Sequence, residues 1–213
     1  MVIVLNVNSE NPESETIEIA VKIIKNGGLI VYPTDTIYGL GANALNLKSV
    51  VKVFIAKNRP LDQALPLIVS GLEMAEELAF ITEKANKLIS FFWPGALTII
   101  LEKKPIVPSI VTGDKFNIGL RSPNHAVPLM ISKVSGLPLT ATSANKHGGA
   151  DPIEVNDILN QLGEHVDMIL DGGKTEIGTS STVIDLTRSP PLIIRKGPIK
   201  KENIERVIGT VET

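Results

Sequence analysis

Hydrophobic positions along the chain keep two rhythms. A helical spacing runs through Ile17, Val21 and Ile24, between about Ser14 and Asn26, and Gly27–Gly28 supply its stop. The same rule links Leu47, Val50, Val51, Phe54 and Ile55, with Asn46 placed as N-cap and an end near Lys57. Further helices are predicted around Leu72–Leu78 and over Glu83–Phe92, the second stopped by Trp93-Pro94-Gly95. Others fall at His125–Val134, with Pro128 in the first turn, and at Val155–Leu162; a last helix starts near Pro198. Short apolar runs between them read as buried strands: Val2–Leu5, Leu29–Tyr32 closed by Pro33, Leu67–Val69, Ala96–Leu101, Ile118–Arg121, Leu137–Thr142, Met168–Leu170, Thr182–Leu186 and Leu192–Arg195. Strands alternating with helices predict an α/β fold: one domain over 1–213, with a twisted mixed sheet flanked by helices. No repeat, low-complexity tract or linker divides it.

Composition narrows the chemistry. The chain has 213 residues, 43% hydrophobic and 21% charged, enough to bury roughly 70% of the unfolded surface in one core. With no cysteine, disulfides, thiolate zinc sites and cysteine nucleophiles are excluded. His125, His147 and His165 lack ligand spacing, so no dedicated metal site is expected. No apolar run approaches the ~18 residues of a membrane span, and MVIVLNVNSENPE lacks the basic start of a signal peptide; a cytoplasmic location is expected by elimination. The net charge of −2 argues against a bulk nucleic-acid binder and leaves room for a local basic patch.

Two familiar nucleotide motifs fail in context. Gly39-Leu40-Gly41-Ala42-Asn43-Ala44 fits a loose GxGxxA fingerprint, but Pro33 to Tyr38 separate it from the preceding strand, and Asp62 falls before the next strand. No GxxxxGK[ST] and no GxSxG occur, so neither a P-loop nor a serine nucleophile elbow has an anchor.

What remains is a set of polar clusters at predicted strand ends: Tyr32-Pro33-Thr34-Asp35-Thr36, Lys57-Asn58-Arg59-Pro60, Gly119-Leu120-Arg121-Ser122-Pro123, Thr142-Ser143-Ala144-Asn145, Ser180-Ser181-Thr182 and Arg195-Lys196-Gly197. Loops at strand ends are where α/β proteins bind ligands. Four cations in or beside them, Lys57, Arg59, Arg121 and Arg195, suit a polyanion such as a triphosphate. Each cluster also has a structural explanation. Lys57 and Arg59 complement a helix C-terminus, Ser143 and Asn145 are turn or cap residues, and the arginines are solvated strand ends. The residues alone reach an anion-binding α/β domain.

YPTDTIYGLGANA, AKNRP, PLIV, FFWPGALTIIL, GLRSPNHAVPL, GLPLTATSAN, DGG and STVIDL occur in the order seen in YrdC-like threonylcarbamoyl-adenylate synthases, and the chain resembles that family from about Gly27 to Gly197. The resemblance implies a twisted α/β sheet with a concave basic cavity. It also implies synthesis of threonylcarbamoyl-AMP from L-threonine, bicarbonate and ATP with Mg²⁺, releasing pyrophosphate. That is the first step of a tRNA modification, and tRNA and downstream threonylcarbamoyl-transferase proteins are its implied partners. By motif, Thr36, Arg121, Ala141 and Ser181 correspond to threonine contacts. Lys57, Arg59, Asn117, Ser143, Asn145 and Arg195 correspond to ATP contacts, with Lys57 and Arg59 as electrostatic catalysts. No extra C-terminal domain is expected after Arg195-Lys196-Gly197.

Two positions depart from the family pattern. Ser70 stands where relatives place a histidine, and Asp151 where they often place a serine. Two other functions compete. Carbamoyl-adenylate chemistry, as in hydrogenase-maturation proteins, goes with cysteine-rich segments that this chain lacks. A non-catalytic double-stranded RNA-binding module using the same cavity is opposed by the net charge and by only 4% aromatic residues.

Overall fold

A computed structural model describes residues 2–213. Its strands are β1 (Ile3–Asn6), β2 (Ile30–Tyr32), β3 (Gly39–Gly41), β4 (Leu67–Ile68), β5 (Leu97–Glu102), β6 (Asn117–Arg121), β7 (Leu139–Thr140), β8 (Thr142–Ser143), β9 (Met168–Asp171), β10 (Thr182–Asp185) and β11 (Leu192–Arg195). Its helices are α1 (Ser14–Lys25), α2 (Leu47–Lys57), α3 (Leu72–Leu78), α4 (Glu83–Phe92), α5 (Ser109–Thr112), α6 (Ala126–Ser135), α7 (Val155–Leu162) and α8 (Lys201–Ile208). The predicted α/β class holds, and the strands divide between two sheets. One has the order β1-β9-β2-β3-β8 and the other β11-β10-β5-β6-β4-β7.

Local signals account for most elements. Asn46 caps α2 by accepting from Ser49 N, and Thr82 caps α4 by accepting from Ala85 N. Ile17, Val21 and Ile24 turn inward from α1 as their spacing requires. Four elements differ from the sequence reading. The Gly39–Gly41 segment is a strand, α5 is an added turn, the single strand expected over Leu137–Thr142 is two strands in different sheets, and the last helix begins at Lys201, three residues beyond Pro198.

The Gly39-Leu40-Gly41 strand is a consequence of Tyr32. Its ring is fully buried and lies flat where side chains at Gly39 and Gly41 would stand; a β-carbon at Gly39 would come 2.7 Å from Cε2. The glycines therefore let β3 pack against an aromatic ring, not against a pyrophosphate, and no helix follows them directly. The failed dinucleotide fingerprint thus has a packing role.

One apolar core gathers α2, α3 and α4 with β5 and β6, through residues such as Phe54, Leu67, Leu88, Ile99 and Leu120. A second joins α1 to α6 through Ile17, Ile24, Val127 and Ile131, over Tyr32 and Ile68. The chain steps from one sheet to the other at Ala141, which separates β7 from β8. Thr140 ties the sheets at that step. Its carbonyl accepts from Tyr32 Oη at 2.8 Å, its hydroxyl accepts from Ala42 N at 3.0 Å, and that hydroxyl donates to Leu40 O at 2.9 Å.

Candidate active site

A cavity of about 160 Å³ opens where the two sheets meet. Its wall includes Tyr32, Thr36, Ile37 and Gly39 from the first sheet and its loops, and Pro66, Ile68, Thr98 and Arg121 from the second. Arg59, Ala141, Ser143, Ser181 and Arg195 complete the set that matters for chemistry. Three guanidiniums and no carboxylate line it.

Alternation along β5 and β6 explains which side chains reach the cavity. Leu97, Ile99 and Leu101 face the core, so Thr98 faces the other way. On β6, Ile118 and Leu120 pack inward, which sends Asn117, Gly119 and Arg121 to the cavity side. Arg121 is only 7% exposed, and its donors are placed by three partners. Nε donates to Gly95 O at 2.9 Å, Nη1 donates to Thr36 Oγ1 at 2.8 Å, and Nη2 donates to Asp35 Oδ1. Two of its five N–H groups remain for a ligand. Burial lowers the guanidinium's pKa and the Asp35 charge raises it.

The Thr34–Ile37 turn sets the polarity of Thr36. The Thr34 hydroxyl donates to Ile37 O at 2.7 Å, so the 3.0 Å contact between the two threonine hydroxyls is donated by Thr36. Thr36 therefore offers its ligand an acceptor, beside the donors of Arg121. A carboxylate next to an N–H or O–H donor matches that pair, which is the pattern of an α-amino acid.

Ser181 is held from two sides. Its Oγ lies 2.8 Å from Thr98 Oγ1 and accepts from Arg195 Nη2 at 3.0 Å, while its carbonyl accepts from Arg195 Nε at 2.9 Å. Burial lowers the Arg195 pKa, Arg121 lowers it further, and Asp151 raises it. Arg59 is anchored by donation from Nη2 to Ala64 O at 3.0 Å. Burial lowers its pKa as well.

Lys57 is 1% exposed and stands behind the wall, not in it. Its Nζ donates to Ser143 O and Asn145 O, both at 2.5 Å, and to Asn145 Oδ1 at 3.1 Å, which uses all three ammonium protons. Burial, helped by the charge of Arg59, pulls its pKa down to about 7, and Asp151 acts in the opposite sense. Asn145 passes the restraint on, since its Nδ2 donates to Gly149 O at 2.7 Å and to Ala150 O at 3.1 Å. Lys57 and Asn145 thus form a clamp that shapes the loop carrying Ser143.

The structure therefore brings Thr36, Arg59, Arg121, Ala141, Ser143, Ser181 and Arg195 into one cavity wall. It places Lys57 and Asn145 directly beneath. Asn117 shares the face of Arg121 but sits four residues along β6, about 13 Å away by strand rise and outside the cavity wall. Ser70 is also outside the wall, its hydroxyl turned to Met74 Sδ at 4.0 Å. Asp151 is exposed, with the charges of Lys57 and Arg195 within electrostatic reach. Sequence reasoning missed Thr98, Ile68 and Pro66. Thr98 carried a weak signal, as the one hydroxyl in an otherwise apolar strand.

Among the described residues, no group of three or more His, Cys, Asp or Glu side chains is gathered to hold a metal ion, and no helix is long and apolar enough to cross a membrane. A larger groove of about 1220 Å³, bordered by Ile3, Ile23, Ile55 and Leu159, shares no lining residue with this cavity. Its lysine, Lys52, is spent on Gly27 O at 2.7 Å, so no cluster of free cations converges there.

Comparison with known proteins agrees with this geometry. The Sua5/YciO/YrdC family model, described as telomere recombination, matches residues 22–197. Over 99% of its length the chain is 41% identical to the threonylcarbamoyl-AMP synthase of Pyrococcus abyssi, covering 62% of that protein. It is 38% identical to the threonylcarbamoyl-AMP synthase of Bacillus subtilis, over 90% of this chain and 56% of that one. The chain thus spans about three-fifths of the length of these curated relatives. Among solved structures, P. abyssi Sua5 complexed with L-threonine superposes with a TM-score of 0.95 at 41% identity, over 99% of this chain and 62% of that one.

Proposed function

The chain belongs to the Sua5/YciO/YrdC family, and from that premise we propose that it is an L-threonylcarbamoyladenylate synthase, a nucleotidyltransferase acting in the cytoplasm. One observation carries the reading. A donor–acceptor pair suited to an amino acid, Arg121 with Thr36, shares a single cavity with Arg59, Ser143 and Arg195, which suit phosphates. The similar Sua5 structure is of a complex with L-threonine, which supports the same assignment.

The cavity's volume orders the substrates. At about 160 Å³ it falls below the ~300–1,000 Å³ of ordinary ligand pockets, enough for the amino-acid end but not for a nucleotide. Threonine occupies the deep part, its carboxylate on the two spare N–H groups of Arg121 and its amine or hydroxyl donating to Thr36. Pro66, Ile68 and Ala141 bound that space with apolar surface. ATP lies toward the Ser143 loop and continues beyond the enclosed walls.

The threonine amine condenses with bicarbonate to a carbamate, releasing water. A carbamate oxygen then attacks the α-phosphorus, the bond to the β-phosphate oxygen breaks, and pyrophosphate leaves. The carbamate is already an anion, so this attack needs no general base. Arg59 and Arg195 offset charge growing on the phosphoryl oxygens, which is where fixed cations accelerate such transfers most. Mg²⁺ enters as part of the ATP substrate. When the Ser143 hydroxyl turns from Asn145 Oδ1, to which it donates at 2.6 Å, toward a phosphate, Lys57 continues to donate to that same oxygen. The clamp therefore keeps its shape while the ligand binds. The adenylate then serves threonylcarbamoyl-transferase proteins acting on tRNA.

The test is pyrophosphate release from ATP and Mg²⁺, with L-threonine and bicarbonate each supplied or withheld. Release that depends on both is expected. Absence of release under every combination, with RNA bound in a steeply salt-dependent way, would replace the enzyme by an RNA-binding module.

A further inference from the structure

We propose that Asp35 is a positioning residue for the amino-acid substrate, acting through Arg121. The inference rests on the threonine reading of the cavity and adds to it a residue that does not touch the ligand. Asp35 is 5% exposed and absent from the cavity wall. Its carboxylate has a single side-chain hydrogen-bond partner among the described residues, Nη2 of Arg121. Its backbone is fixed independently, since Asp35 O accepts from Ile177 N at 3.2 Å and the neighbouring Thr36 O accepts from Gly178 N at 2.9 Å. The loop is held by those bonds and by the Thr34 turn, so the carboxylate is not needed to close it.

A buried ion pair is poor value as a stabilising device. Desolvating both charges offsets most of their attraction, and apolar replacements of similar volume are often as stable or more so. What the pair does supply is direction. A guanidinium gripped at Nε by Gly95 O, at Nη1 by Thr36 and at Nη2 by Asp35 cannot rotate, and its two remaining N–H groups are aimed before any ligand arrives. Gly95 belongs to the same device: a side chain there would run into Phe92 O, so only glycine brings its carbonyl this close. Asp35 also answers the charge of Arg121, so what this guanidinium adds to the pocket is the direction of its two free N–H groups more than its charge. Without it, Arg121 keeps its charge and loses its aim.

The experiment measures calorimetric affinities of the full chain for L-threonine, and separately for a non-hydrolysable ATP analogue with Mg²⁺, in wild type, Asp35→Ala and Asp35→Asn. Alanine removes the acceptor that fixes Nη2, whereas asparagine removes the charge and keeps an acceptor oxygen. Weakening of L-threonine by tenfold or more in Asp35→Ala, with the nucleotide held within twofold and with Asp35→Asn recovering most of the loss, is expected. Adding Asp35→Ala to Arg121→Ala should change threonine affinity by less than twofold, because the first residue acts only through the second. If Asp35→Ala does not fold, Asp35→Val serves, filling the space without an acceptor. Threonine affinity unchanged in a variant with a lowered melting temperature would make Asp35 merely structural and overturn the inference, leaving the threonine reading in place. Equal loss for both ligands would overturn it too. Wild type that binds no L-threonine would remove the reading itself and the inference with it.

Discussion

Replacing Lys57 by methionine separates two ways in which that lysine can serve the reaction. Methionine keeps the length and apolar stem of the side chain and deletes Nζ. In the structure that nitrogen donates to Ser143 O, Asn145 O and Asn145 Oδ1. Charge-assisted bonds of this kind contribute about 1.5–3 kcal/mol each, so three amount to roughly 5–9 kcal/mol. Against them stand burial and the charge of Arg59, which together hold the pKa near 7 in place of 10.5. Methionine removes both effects and leaves three oxygens without donors, at about 1–3 kcal/mol each, partly recovered by water from the cleft. The net expectation is a loss of about 3 kcal/mol, or about 6–12 °C in melting temperature for a chain of this size. Melting and urea unfolding should be run below pH 7, where the wild-type lysine is charged. Amide exchange over residues 143–151 should rise at the same time, and nucleotide affinity should fall with it. The result that refutes the clamp is specific. If Lys57→Met melts like wild type, protects that loop equally and still loses pyrophosphate release, Lys57 acts on the substrate directly.

Three further outcomes follow from other contacts. Arg59→Ala should leave folding intact and cut turnover at saturating ATP by about 10²–10³-fold, the usual cost of one transition-state donor; unaltered turnover removes Arg59 from the mechanism. Thr98→Val deletes the 2.8 Å partner of Ser181 without changing volume, so the KM for threonine should rise about 3–10-fold with little change in stability; an unchanged KM detaches Thr98 from the site. His125 accepts from Val127 N at the start of α6, and burial, partly opposed by Asp35, lowers its pKa from 6.5 to about 4. The unfolded chain binds more protons between those values, so stability present above pH 6.5 is lost as pH falls toward 4, by at most about 3 kcal/mol. His125→Asn keeps a cap and removes the titration; unfolding curves at pH 4.5 and 7 that differ as much as in wild type would exclude His125 as the source.

Much of this protein is readable along the chain because much of its physics is local. Periodicity and caps placed α2 from Asn46 onward and α4 from Glu83 to Phe92, since both helices owe their ends to hydrogen bonds within four residues. The polar clusters were equally visible as interruptions of apolar runs, and six candidates read from them, Thr36, Arg59, Arg121, Ser143, Ser181 and Arg195, do share one wall, together with Ala141, which only the resemblance singled out. The resemblance to YrdC-like proteins named the chemistry that composition alone left open.

What the chain could not display is whatever depends on residues far apart in sequence meeting in space. Sequence context already rules Gly39-Leu40-Gly41 out as a phosphate loop, but what its glycines are for appears only when Tyr32 is seen lying across them. The two sheets, joined by Thr140 and exchanged at Ala141, follow from long-range pairing that no local rhythm encodes. Lys57 and Arg59 stand two positions apart with the same charge, yet one is spent on a loop 86 residues away and the other faces the cavity. Asn117 and Arg121 share a strand face, yet strand rise carries Asn117 out of the wall. Sequence sets which groups are available and where backbone order begins and ends, because those depend on neighbours. Only the tertiary structure decides which donors remain free, because a side chain's last hydrogen bond is settled by whatever the fold brings beside it.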